Sequence, residues 1–183
     1  PCKIVSPSGY PVEFVEYSPN EKYLLYSRRL PRGDVELWLA EPDLGAPANT
    51  MIARGNVRVL PGAFKPDSSE FTYAIRRGAG GFSLVRVRSL DGTELEEIAK
   101  GYSACWSRSR NLLVAVMPDL MGIPQLWALD EGRATNSSQM TYVEAGVEGN
   151  CFVSPDGSVA VAMLADALDP TVVIVTTDAS KRQ

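Results

Sequence analysis

Phe152-Val-Ser-Pro-Asp-Gly157 reads as a strand running into a tight turn. Proline presets φ for the turn, aspartate accepts from the backbone two residues on, and glycine supplies a positive φ. The string recurs. Tyr17-Ser-Pro-Asn20, Phe64-Lys-Pro-Asp67 and Trp106-Ser-Arg-Ser109 take equivalent places. Tyr17, Phe64, Trp106 and Val153 stand 47, 42 and 47 residues apart. A period of roughly 40–50 residues is that of a four-stranded unit in a radial array.

The register holds further along each unit. Seven residues after each anchor stand Leu24, Phe71, Leu113 and Ala160, which open Leu24-Leu-Tyr-Ser27, Phe71-Thr-Tyr-Ala74, Leu113-Val-Ala-Val116 and Ala160-Val-Ala-Met163. Twenty residues after each anchor stand Leu37, Leu84, Leu126 and Val173, which open a second set of short apolar runs. Both sets predict buried strands. A further strand precedes each anchor, at Ile4, Met51, Ile98 and Met140. The third unit is shorter only between this strand and its anchor, where loop length varies most easily. Gly78-Ala-Gly-Gly81, Asp91-Gly92 and Asp130-Glu-Gly132 punctuate the strands, and no sustained helical periodicity interrupts them.

The expected fold is all-β, a small β-propeller of four four-stranded blades forming one domain over residues 1–183. The fourth unit lacks its outer strand, while Lys3-Ile-Val5 is an outer strand with no partners before it. The ring is therefore expected to close by pairing this N-terminal strand with the last blade, which removes the exposed sheet edge. Two copies sharing first strands, or a piece of a larger ring, satisfy the same pattern.

Composition bounds the chemistry. Hydrophobic residues make up 45% and charged residues 22%, as in soluble globular chains. No apolar run is long enough for a membrane-spanning helix, and no leader peptide is visible. The compartment, periplasmic or cytoplasmic, stays open. A net charge of −4 disfavours a nucleic-acid partner. Histidine is absent, which removes imidazole general bases, His-containing triads and imidazole metal ligands. Cys2, Cys105 and Cys151 form no zinc pattern. Cys105 and Cys151 fall on neighbouring inner strands at opposite parity relative to their anchors. They are expected to face opposite sides and stay apart unless a bulge intervenes.

The turn strings, together with Asp119-Leu-Met-Gly-Ile-Pro-Gln-Leu-Trp-Ala-Leu-Asp130, resemble the TolB-type repeat, also called the PD40 repeat, over nearly the whole chain. The match departs at Ser107-Arg-Ser109 and at Asn20. The resemblance implies a bacterial-type propeller. It leaves function open among partner-binding proteins, propeller lyases, and the propeller part of prolyl-oligopeptidase-like peptidases.

In such a fold the loops between second and third strands share one face with those preceding each inner strand. On that face the sequence places Arg28, Arg29, Arg32, Arg58, Arg76 and Arg77, with Tyr10, Glu13 and Tyr102. It also places Asp119, Glu144, Glu148, Asp166 and Asp169 there. Basic charge gathers in the first two units and acidic charge in the last two, a field suited to a protein, a small peptide-like ligand or a second copy of the chain. A non-enzymatic binding module is the expectation, with no metal or cofactor. A carboxylate- or metal-dependent lyase or glycosidase, or a peptidase's propeller fragment, is the alternative. Ser107, Ser109 and Ser154 sit in turns, without a nucleophile elbow, and are read as turn formers. Trp38 and Trp127, and Tyr26 and Tyr73, recur at matching positions and are read as packing between units.

Overall fold

The apolar runs set the strands. In a computed structural model, which describes residues 9–42, 48–88, 90, 92–165 and 171–177, every run becomes one. The order is β1 (Val12–Tyr17), β2 (Leu24–Arg29), β3 (Val35–Glu41), β4 (Ala48–Arg58), β5 (Phe71–Arg76), β6 (Phe82–Val87) and β7 (Leu95–Lys100). There follow β8 (Ser103–Trp106), β9 (Leu112–Pro118), β10 (Pro124–Asp130), a 3-10 turn at Ala134–Asn136, and β11 (Ser137–Gln139). β12 (Val147–Val153), β13 (Val159–Leu164) and β14 (Val172–Thr176) complete the described chain.

All pairings are antiparallel, in sheets ordered β1-β2-β3-β4-β5-β6-β7, β11-β10-β9-β8 and β12-β13-β14. The first two repeats are thus not separate four-stranded sheets. β4 pairs with β3 from Ala48 to Gly55 and then with β5 from Asn56 to Arg58. One uninterrupted strand is the outer strand of one unit and the inner strand of the next, because no loop falls between the two roles. Phe64, expected within an inner strand, makes only an isolated bridge to Phe71. The N-terminal strand at Lys3-Ile-Val5, on which the expected closure depends, lies outside the described residues, as does Cys2.

Successive units pack face against face. Leu25, Val35 and Leu37 meet Phe71, Tyr73 and Val85. Ala74, Phe82 and Leu84 meet Trp106, Leu113 and Leu129. Val114, Val116 and Leu126 meet Cys151, Ala160 and Ala162. In β9, Leu113, Ala115 and Met117 serve one interface and Leu112, Val114 and Val116 the other. A strand buried on both faces needs apolar residues throughout, so its sequence shows no alternation. In β12 to β14, by contrast, only one face is covered by the described residues. Phe152 is 50% and Ile174 68% exposed.

Face-to-face stacking also corrects the reading of the cysteines. Cys105 and Cys151 do sit at opposite parity, yet their Sγ atoms lie 3.5 Å apart. They belong to adjacent stacked sheets, and opposite-facing residues on such sheets point at each other. Trp106 is buried at 1% exposure and lies over Gly132. Gly132 has φ +64, and a Cβ there would stand 2.6 Å from the indole, so glycine is required on both counts. Tyr26 and Tyr73 are each buried at 2% exposure, and Tyr26 stacks on the half-buried Trp38 with ring centroids 6.4 Å apart.

Candidate functional site

A cavity of about 620 Å³ opens where β1, the end of β4 and β12 converge. Three inner strands from three repeats form its wall. Glu13 and Phe14 come from β1, Val57 and Arg58 from β4, and Glu148, Gly149 and Asn150 from β12. Arg29, from β2, reaches its rim.

β12 exposes this wall through an irregularity. Its pairing with β13 slips between Val147 and Cys151, so Glu148, Gly149 and Asn150 leave the ladder and turn to the cavity. Gly149 lets Arg58 approach: a Cβ there would meet Arg58 Nη1 at 2.6 Å. The Arg58 guanidinium lies over the Phe82 ring, 4.5 Å from its centroid. The Phe82 ring in turn meets Tyr102 at 6.3 Å. A cation over an aromatic face is attracted by the ring quadrupole without being neutralised. Arg58 forms no ion pair with a carboxylate among the described residues.

Arg29 is in a different state. Its Nε donates to Glu13 Oε1 at 2.5 Å and its Nη1 to Gly33 O at 3.2 Å. The contact to Glu13 holds the Arg29 guanidinium more firmly protonated than usual. The cavity therefore presents one internally paired cation, Arg29, beside one unpaired cation, Arg58, and the carboxylate of Glu148.

The remaining charged positions serve elsewhere. Arg28 lies within β2 rather than in a loop, 8% exposed. Its Nε donates to Glu36 Oε2 at 2.7 Å, and its guanidinium lies near the rings of Trp38 and Tyr10. Burial resists charge on Glu36, but hydrogen bonds from Arg28 and Trp38 outweigh it and hold the carboxyl below its ordinary value. Arg32 lines a separate hollow of about 330 Å³ with Tyr10, Asp34 and Arg54. Arg76 Nε donates to Gly80 O and closes its own turn. Asp119 Oδ1 accepts from the backbone N–H of Met121 and of Ile123, so its charge is used by its turn. Arg77 and Glu144 are exposed and line none of these hollows. Asp166 and Asp169 lie outside the described residues. Among the described residues no three Cys, Asp or Glu side chains gather as a metal would require.

On the opposite side, Glu16 Oε1 and Oε2 accept from the N–H groups of Gly62 and Ala63 and join β1 to the second repeat. Burial raises its carboxyl above the ordinary value, against the pull of those two hydrogen bonds and of Arg108. Nothing in the local sequence marks Glu16, because its partners are backbone groups 46 and 47 residues away.

Sheets stacked in this way, with inner strands around a cavity, match known structures. A TolB from Acinetobacter baumannii superposes with a TM-score of 0.64 at 16% identity, over 90% of this chain and 41% of that one. A putative TolB from Agrobacterium tumefaciens gives 0.54 at 16% identity, over 96% of this chain and 80% of that one. The fold is TolB-like. This chain spans less than half the length of the Acinetobacter TolB. No family model and no curated protein matches it. No helix among the described residues of this TolB-like chain is long and apolar enough to cross a membrane.

Proposed function

We propose that the chain is a non-enzymatic protein-interaction module that takes a protein segment or small peptide-like ligand at the cavity between β1, β4 and β12. The observation that carries this reading is Arg58. One side of its guanidinium is covered by Phe82, and no carboxylate among the described residues neutralises it. A ligand carboxylate supplies the missing partner in a charge-assisted, geometrically specific contact. Glu148 on the same wall suits an amine or guanidinium of the same ligand. An uncommitted cation and anion across one cavity select a peptide-like molecule over an apolar one.

The repeats act in this reading as blades around a central channel, with Lys3-Ile-Val5 completing the fourth. β6 and β10 each carry a further strand on their outer side, whereas β14 is an edge among the described strands.

A library of short peptides with free carboxy termini, read out by isothermal titration, tests the proposal. Bound peptides are expected to carry an acidic side chain or terminus near the contact. Arg58→Glu is expected to weaken them by about tenfold or more. Arg77→Glu, on an exposed turn, stays within about twofold. Unchanged affinity in Arg58→Glu, or no bound peptide at millimolar concentration, overturns the assignment.

A further inference from the structure

The third and fourth repeats meet at two thiols. Cys105 in β8 and Cys151 in β12 are 1% and 0% exposed, with Sγ atoms 3.5 Å apart. Nothing stands between them. Cys151 Sγ also lies 3.5 Å from Val114 O and 3.8 Å from Ser103 Oγ, and apolar side chains of both sheets surround the pair. Bonded sulfurs sit about 2.0 Å apart, so the two Sγ atoms have about 1.5 Å to close. We propose that Cys105 and Cys151 form a disulfide, joining β8 to β12, when the chain folds in the presence of a disulfide donor.

The chemistry is two successive exchanges. One cysteine, as its thiolate, attacks the donor disulfide; a mixed disulfide forms and one donor thiolate leaves. The second cysteine, as its thiolate, attacks the protein sulfur of that mixed disulfide and expels the other donor thiolate. The protein's two thiols lose two electrons to the donor, and the two protons they release end on the two donor thiols.

The timing follows from burial. The hydrogen bond to Cys151 and then burial push the Cys105 thiol well up from its ordinary value. In the packed core the Cys105 thiol is therefore a poor nucleophile, and both thiols are buried away from solvent. The exchange belongs to folding, before β12 docks on β8. Once made, the bond is shielded from reductants by the same packing.

The cross-link bears on the cavity, and this consequence rests on the binding reading above. Cys151 ends the slipped segment whose Glu148, Gly149 and Asn150 form the cavity wall. A Cβ at Gly149 would lie 3.5 Å from Cβ of Tyr102, which directly precedes β8. Tying Cys151 to Cys105 fixes both ends of this contact.

The test is to unfold and reduce the full chain, then refold it with a mixture of reduced and oxidised glutathione. Free thiols are next blocked under denaturing conditions, and intact mass and peptide masses are read. The expected result is one blocked thiol, on Cys2, a protein about 2 Da lighter before blocking, and a linked peptide pair containing Cys105 and Cys151. The melting temperature should exceed that of a sample refolded in dithiothreitol, where the bond never forms, by about 5–10 °C. Blocking at both Cys105 and Cys151, or a bond to Cys2 instead, overturns the proposal. Peptide binding is measured on the same oxidised sample. Loss of binding with the bond in place tells against the binding reading alone, and absence of the bond tells against this one alone.

Discussion

Two neighbouring arginines show how much a single residue's role depends on its facing. Arg28 and Arg29 are adjacent in β2, so their side chains leave opposite sides of the strand. Arg28 is buried in a pair with Glu36, and Arg29 is held by Glu13 at the cavity rim. Nothing in their composition separates them. Asp156 is the opposite case, because its role is written locally. Ser154 Oγ donates to Asp156 Oδ1 at 2.6 Å, and Ser158 donates to the same oxygen through its N–H and its hydroxyl. These bonds, Ser154 first, lower its carboxyl from 3.8 to about 2. A depressed folded-state value stabilises the fold above the unfolded value and is lost as pH falls through the folded one. Wild-type stability is therefore expected to fall as pH drops from about 4 through about 2. Asp156→Asn should flatten its share of that slope in acid-dependent urea unfolding. An NMR titration should place the Asp156 midpoint near 2; a midpoint near 3.8 would contradict the turn geometry.

At the scale of elements, the turns after each inner strand repeat one device. Asn20 accepts from Ser18 and Lys22, Asp67 from Ser69, and Asp156 from Ser154 and Ser158. Ser107 serves the variant third turn by accepting from the Arg110 N–H. This is why the repeat was readable even where its letters changed. Strand type was legible for the same reason: runs such as Leu112–Pro118 are apolar at every position because both faces are covered. Leu113, 0% exposed between the second and third repeats, is the sensitive position. Leu113→Ala is expected to cost about 2–5 kcal/mol in urea unfolding, from lost burial and the cavity left behind. Phe152→Ala, on the half-open face of β12, should cost clearly less. Equal losses at the two positions would mean that the outer face of β12 is covered in solution. The continuous β4 was not legible, since only tertiary pairing shows one strand switching partners between Gly55 and Asn56.

At the scale of the molecule, the described strands stack through three apolar clusters, and inner strands from three of the repeats, β1, β4 and β12, line the cavity. If the first and last units close within one chain, light scattering coupled to size exclusion should give the mass of a single 19.8 kDa chain, independent of concentration. A stable species of twice that mass would instead place the open faces of β1 and β12–β14 against a second copy. Of the charged residues the sequence offered for a ligand face, the fold gathers Arg29, Arg58 and Glu148 around one cavity, with Tyr102 behind Arg58. It commits Arg28, Arg76 and Asp119 to the framework. The sequence by itself determined the repeat, the strand positions and the turns, because these depend on neighbours in the chain and on the two-residue period of a pleated strand. Only the tertiary structure decided which charges meet, that Gly149 leaves room for the Arg58 guanidinium, and that Cys105 faces Cys151. Those facts depend on how separate sheets stack, and residues 46 positions apart in the chain come into contact only across that stack.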